Sequence, residues 1–452
     1  MQRAQPSIES QIQPTPPPLF APIPRGVADV FWHDAWQRRH LEAQLLSLFR
    51  SWGYGDVIPP LLEYAETIAA HSTPQVQSEM LRFLDRDGSM LALRSDMTIG
   101  VARLVGTRLR DWPMPQRFCY AGSVFRHNAP QAGQQREFAQ AGVELIGAAA
   151  PAADAEVLAL TAAALAQAGL KGIRLAVGHL GYFHGLLQEL HLDATERARL
   201  LAAIDRNSDN DLAGFLDQAT LNNAQRRTIE QLPQLSGNDT QAILAHADEL
   251  CLNDAMHNAL ANLRAILTAH DAFGASETIY LDLTEIHNLG YYTGLTFEAL
   301  APQIGFPVAS GGRYDQLVGA FGQGQPAVGV ALSLDRILLA RTLAEHGQSR
   351  RSPKPLAPHI LMATASSPRA LAVVRQLRQT GLRVEVDVTG RTVDELQHYA
   401  RHAGVTALLV WQQDGFTLYD TGAANDLAGG RHMSIDDLLD WAARQLAARG
   451  DA

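Results

Sequence analysis

Residues 117–147 read RFCYAGSVFRHNAPQAGQQREFAQAGVELIG, and they restrict the fold more than any other stretch of the chain. Aromatic and β-branched residues over 117–126 predict a strand. The turn formers of Asn128-Ala-Pro-Gln-Ala-Gly133 break it, and a second strand returns. The return strand alternates. Glu137, Ala139, Ala141, Val143 and Leu145 share a face suited to a core, while Arg136, Phe138, Gln140, Gly142 and Glu144 share the other. That second face carries an amide and a carboxylate at i and i+4, beside a glycine that leaves room for a ligand. By periodicity alone this is a half-exposed antiparallel strand with its polar residues turned outward.

Around this hairpin the chain is ordinary globular material. With 452 residues, 46% hydrophobic and 19% charged, it is long enough for two or three domains and excludes wholesale disorder. A net charge of −10 argues against a surface built for a polyanion. Cys119 and Cys251 are the only cysteines and form no Cys-x-x-Cys, and there is neither an 18-residue apolar run nor an apolar leader. The expectation is a soluble cytoplasmic protein with no metal and no cofactor.

Composition and punctuation divide the chain. Residues 1–22 are a Pro-rich tail expected to be flexible, 23–345 a folded core, and 346–357 a linker. Within the core a helix to about Trp52 carries Leu41, Leu45, Leu48 and Trp52 on one stripe, and a strand follows over 57–63. Residues 83–91 read as a hairpin turning on Asp87-Gly88. About 184–274 reads as an all-helical insertion without a chemical motif. Residues 358–452 alternate strand and helix as a small α/β domain. This last domain has 9 Arg and no Lys against 11 Asp plus Glu, so it has no positive surplus for nucleic acid.

Five segments, in order, resemble the class II aminoacyl-tRNA synthetases, in the form of histidyl-tRNA synthetase. Pro24-Arg-Gly, a long helix and Pro60-Leu-Leu-Glu63 are similar to motif 1, which builds the dimer interface of that family. Leu93-Arg-Ser-Asp-Met-Thr-Ile-Gly100 resembles the segment in which an acid and a threonine hold the ammonium of the amino acid, here Asp96 and Thr98. Phe125-Arg-His, Arg136-Glu-Phe and Gln140-x-Gly-x-Glu144 resemble motif 2. Leu289-Gly-Tyr-Tyr292 resembles a histidine-pocket segment, and residues 327–336 resemble motif 3, whose arginine binds ATP and corresponds to Arg336. Ala309-Ser-Gly-Gly-Arg-Tyr-Asp315 is like the glycine-rich turn that closes the pocket. The resemblance spans about 23–452 and implies an α+β fold: a class II synthetase-like antiparallel sheet flanked by helices, with a helical insertion and a small C-terminal α/β domain like the anticodon-binding domain.

The departures from the pattern divide by role. The glutamate that holds adenine is replaced by Asn128, the catalytic arginine by His287, an aspartate by Gly290, and a motif 3 glycine by Ser333. An arginine always carries its charge, whereas a histidine does so only part of the time near neutrality. The amino-acid contacts are kept: Asp96, Thr98, Arg126, Gln140, Glu144, Tyr291 and Tyr292. Such a pattern resembles the regulatory subunits of ATP phosphoribosyltransferase. This relationship implies a non-catalytic chain that joins a short catalytic subunit in a hetero-oligomer, as a homodimer within it, and confers feedback inhibition by histidine on the first step of histidine biosynthesis. Two alternatives stand beside it: a histidyl-tRNA synthetase, which leaves Asn128, His287, Gly290 and the non-basic C-terminal domain unexplained, and a pseudo-synthetase that binds tRNA, which the acidic C-terminal domain disfavours.

Overall fold

In the computed structural model, residues 23–70, 74–127, 135–206, 208–274, 279–285, 292–346, 359–363, 367–412, 415–421 and 430–449 are described. They fall into a larger unit, drawn from Met1–Asp29 and Arg38–Ser349, and a smaller one, drawn from Val30–Gln37 and Arg350–Ala452.

Helix α1 (Trp32–Ser51) buries Leu41, Leu45 and Phe49, so the stripe runs at i, i+4 and i+8. Phe49 takes the place expected of Leu48 and Trp52, which are only partly buried. Strand β1 (Gly55–Asp56) follows, and β2 is only Leu62–Tyr64, shorter than the strand expected over 57–63. Pro59 and Pro60 have no amide hydrogen to give a ladder. Pro59 instead lends its carbonyl to Arg94 Nη1 at 2.6 Å, while Arg94 Nε reaches Ser123 O at 2.9 Å. After α2 (Ala65–Ala70) and α3 (Pro74–Glu79) comes the expected hairpin, β3 (Arg82–Leu84) and β4 (Met90–Leu93). Its turn holds Gly88 at φ +88°, with Asp87 Oδ1 accepting from Ser89 N at 2.8 Å. These strands form a small sheet ordered β2-β4-β3.

Helix α4 (Thr98–Thr107), strands β5 (Gln116–Phe125) and β6 (Glu137–Ile146), helix α5 (Pro151–Gln167) and strand β7 (Arg174–His179) come next. Helices α6 (Leu180–Leu190), α7 (Ala194–Asp205), α8 (Asp209–Leu216) and α9 (Asn223–Gln231) make up most of the helical segment. The short β8 (Ser236–Gly237) separates them from α10 (Thr240–Glu249) and α11 (Asp254–Asp271). Five helices of this segment start on a side-chain cap: Asp193, Ser208, Asn222, Asp239 and Asn253 each accept from an amide of the first turn. Strands β9 (Ile279–Asp282), β10 (Leu295–Leu300), β11 (Ala309–Arg313) and β12 (Ala327–Ser333) then complete the large sheet, before α12 (Leu334–His346).

That sheet runs β1-β5-β6-β12-β11-β10-β7-β9-β8 and is antiparallel except at β1–β5 and β7–β9. Here the half-exposed reading of the return strand is corrected. β6 lies between β5 and β12 and is buried continuously over 139–146. Ala139, Ala141, Val143 and Leu145 enter the main core with α1 and α5. The opposite face looks toward α4 and a second core cluster containing Met97, Tyr120 and Val124. Its polar residues therefore sit inside the protein.

The smaller unit holds β13 (Ile360–Ala363), α13 (Pro368–Gln379), β14 (Val384–Val386), α14 (Val393–Ala403), β15 (Ala407–Gln412), β16 (Gly415–Asp420), β17 (Arg431–Met433) and α15 (Ile435–Arg449). Its sheet is ordered β14-β13-β15-β16-β17, with β13 parallel to both neighbours. Gly404, at φ +73°, ends α14 in a left-handed conformation. Among the described residues, no helix is long and apolar enough to cross a membrane.

Candidate functional site

Strand register assembles the site. Pairing of β6 with β5 sets Tyr120 opposite Gly142, and pairing of β6 with β12 sets Gly329 opposite Glu144. A Cβ on Gly142 would lie 2.6 Å from the Tyr120 hydroxyl, and one on Gly329 would lie 1.8 Å from Glu144 Oε2. The two missing side chains are what let a tyrosine and a carboxylate lie across the sheet face. Thr98, at the start of α4, and Tyr314, just beyond β11, approach from the other side.

Glu144 is 1% exposed and is held by three hydroxyls. Thr98 Oγ1 donates to Oε1 at 2.7 Å, Tyr120 OH donates to Oε1 at 3.0 Å, and Tyr314 OH donates to Oε2. Burial pushes its carboxyl up to about 7, outweighing the three donors that favour the charged form. A carboxyl poised there can meet an imidazole in either protonation state. Asp96 accepts from Ile99 N at 3.0 Å in the first turn of α4, so it caps that helix while also facing the cavity. Its carboxyl is likewise raised by burial, against the Ile99 amide and the Arg126 charge. Arg126 donates through Nε to Ser95 O at 3.0 Å and lies over the Phe138 ring at 5.4 Å. Gln140 is buried, and its Oε1 has no hydrogen-bond partner among the described residues.

Asp96, Thr98, Arg126, Gln140, Glu144 and Tyr292 line one cavity of about 140 Å³. Six of the seven residues expected to bind histidine thus converge; Tyr291 lies outside the described residues. So do Asn128, His287 and Gly290. Tyr292 is seated against Gly312, where a Cβ would come within 2.9 Å of its ring. Ser310 and Tyr314 also line the cavity, and Tyr120 reaches the Glu144 carboxylate beneath it. None of these three is assigned a role by the sequence motifs, although Ser310 and Tyr314 lie in the glycine-rich turn already singled out. Ser333, the fourth departure, ends β12 opposite Gln140, with its amide donating to Val308 O at 2.8 Å.

The motif 3 arginine is engaged by its own chain. Arg336 Nη1 donates to Pro307 O at 2.8 Å, and its guanidinium lies 4.9 Å from the Phe306 ring centroid. Its neighbour Asp335 accepts from Ala139 N at 2.7 Å. The turn after β11 is fixed by a buried fork. Arg313 Nη2 and Nε contact Asp154 on α5 at 2.8 and 3.0 Å, and Nη1 reaches Asp315 at 3.1 Å.

Residues 26–337 match the family described as Histidyl-tRNA synthetase, which fixes the fold as that of class II synthetases. The chain is 38% identical over 383 residues to the ATP phosphoribosyltransferase regulatory subunit of Moorella thermoacetica, covering 85% of this chain and 96% of that one. It is 39% identical over 391 residues to the protein of the same name from Symbiobacterium thermophilum, with 86% and 96% covered. A solved structure from Bacillus halodurans, named ATP phosphoribosyltransferase regulatory subunit/histidyl-tRNA synthetase, superposes with a TM-score of 0.75 at 30% identity, covering 85% of this chain and 97% of that one. The chain belongs to the family of ATP phosphoribosyltransferase regulatory subunits, non-catalytic chains built on the histidyl-tRNA synthetase fold.

Proposed function

We propose that this chain works in histidine biosynthesis as the subunit that a short ATP phosphoribosyltransferase catalytic chain requires for activity, and that histidine binds in the cavity over β6 as the feedback inhibitor. One observation carries the reading: Asp96, Thr98, Arg126, Gln140, Glu144 and Tyr292 line one cavity, so two carboxyl groups and a guanidinium stand around a single ligand space. An ammonium and a carboxylate each call for a partner of opposite charge, and this lining offers both. The ammonium sits near Asp96, Thr98 and Gln140. The imidazole lies between Glu144 and the tyrosines, Tyr292 and Tyr291, and Arg126 meets the carboxylate.

Histidine shifts the assembly only by binding one arrangement better than another, and a coupling of roughly 1–3 kcal/mol is enough for inhibition. The proposed setting is the cytoplasm, with a homodimer inside a hetero-oligomer. The small β2-β4-β3 sheet and its preceding loop leave Ile58, Leu62, Tyr64, Phe83, Leu84 and Met90 exposed, Ile58 to 90% and Leu84 to 66%. A second copy covering them accounts for that apolar surface.

Two assays on the purified full chain test the function. Added to a short catalytic subunit, it raises phosphoribosyltransferase activity and makes it histidine-sensitive; alone, it gives no histidine-dependent ATP–pyrophosphate exchange. Exchange at ordinary synthetase rates would falsify the proposal. Glu144→Ala removes histidine sensitivity and leaves assembly intact; unchanged inhibition places the effector elsewhere.

A further inference from the structure

The helices between β7 and β9 carry no part of the cavity, yet three unlike donors meet where α10 passes into α11. Asp248 lies in the last turn of α10, Cys251 in the connecting loop and His257 in the first turn of α11. A carboxylate oxygen, the sulfur and a ring nitrogen all lie within 4.8 Å of one another. His257 Nδ1 is 3.2 Å from Asp248 Oδ1, and Cys251 Sγ is 3.4 Å from Ala247 O. We propose that Asp248, Cys251 and His257 form a site for zinc or a similar borderline divalent cation, with water as the fourth ligand.

The donor chemistry selects the ion class. Thiolate and imidazole favour zinc or cobalt over magnesium or calcium, which seek oxygen. The framework is held in place. Asn253 accepts from Met256 N at 3.0 Å and donates to Gly185 O at 2.9 Å, and Leu252 N donates to Met256 Sδ at 3.4 Å. The loop that carries Cys251 is thereby pinned to α6 and α11. The site also sits at the carbonyl end of α10, where the helix dipole favours a cation. Zinc–ligand bonds of about 2.0–2.3 Å place tetrahedral donors roughly 3.3–3.8 Å apart. His257 Nδ1 and Asp248 Oδ1 already stand at 3.2 Å, so only the separations to the sulfur, at most 4.8 Å, must close by up to about an ångström.

Two features compete with the ion. Arg264 Nη1 lies 3.7 Å from the same Asp248 oxygen, and burial pushes the Cys251 thiol up to about 11. Binding displaces the arginine and releases the thiol proton to solvent as the sulfur–metal bond forms, so affinity rises with pH. No spacing rule exposes this set in the sequence, because its members come from a helix end, a loop and the next helix. The proposal goes beyond the sequence reading, which named no metal ligand.

Titration of the reduced, chelator-treated full chain with Co²⁺ tests the site. The expected result is one equivalent bound, with a near-ultraviolet thiolate-to-cobalt charge-transfer band and strong visible bands of tetrahedral cobalt that Zn²⁺ displaces. Cys251→Ser abolishes the charge-transfer band, Cys119→Ser retains it, and His257→Ala weakens binding by at least about tenfold. A second readout needs no variant: Zn²⁺ slows alkylation of Cys251, located by mass spectrometry. Absence of the band in the unmodified protein, its survival in Cys251→Ser, or an unchanged Cys251 alkylation rate with Zn²⁺ each overturns the assignment.

Discussion

Glu144 is the residue on which the cavity turns, and its titration has a definite sign. Its folded carboxyl is raised to about 7 from the ordinary 4.5. Below about pH 4.5 the group is neutral folded or unfolded and costs nothing. As pH climbs toward 7 the unfolded chain ionises freely while the folded one resists, so stability falls across that window by roughly 3 kcal/mol and is flat above it. Denaturation midpoints of the parent chain and Glu144→Gln, compared from pH 4 to 8, should diverge in that direction; parallel curves would remove the buried, protonated carboxyl. Gly329→Ala tests the same group through sterics. The added methyl cannot coexist with Oε2 at 1.8 Å, so the carboxylate must swing away and histidine binding, read by calorimetry, should be lost. Gln140 and Glu144 were legible in the sequence because a spacing of four on a strand puts two side chains on one face. Tyr314 was not, since it lies 170 residues from the glutamate it bonds, and only the register of β11, β12 and β6 brings them together.

Among the elements, β11 and α5 are joined by a buried ion pair as well as by the main core. Arg313 is 7% exposed and Asp154 is fully buried, so removing either leaves an uncompensated charge inside the protein. Arg313→Ala should cost about 3–5 kcal/mol, measured by denaturant unfolding, whereas replacing both partners by apolar residues of similar volume should cost far less. The hairpin β3–β4 could be read directly, because its turn residues act over two or three positions; the segment between β7 and β9 was read as helical throughout, and the two-residue β8 inside it was not. Strand β2 was overestimated because apolar residues flank two prolines that cannot join a ladder. The burial of β6 was missed for a different reason. Alternation reports which face is apolar, but not whether a neighbouring layer covers the polar one.

For the whole molecule, the resemblance over about 23–452 gave the architecture, and six of the seven positions it named for amino-acid binding line one cavity. If a second copy covers the β2-β4-β3 sheet, Leu84→Glu should shift the chain toward monomer in sedimentation velocity while histidine still binds, because the cavity and that sheet share no lining residue. A variant that stays dimeric would move the interface elsewhere.

The central place of β6 has a mechanical consequence. Its backbone is hydrogen-bonded on both sides along nearly its whole length, from Gln140 to Ile146 toward β12 and from Glu137 to Ile146 toward β5. Amide protons there should exchange with deuterium among the slowest in the chain, with or without effector. A floor so braced makes a poor lever. On the proposed reading, any message that histidine has arrived must leave through the side chains and connecting segments above the sheet, which makes β6 the fixed reference against which those parts are displaced.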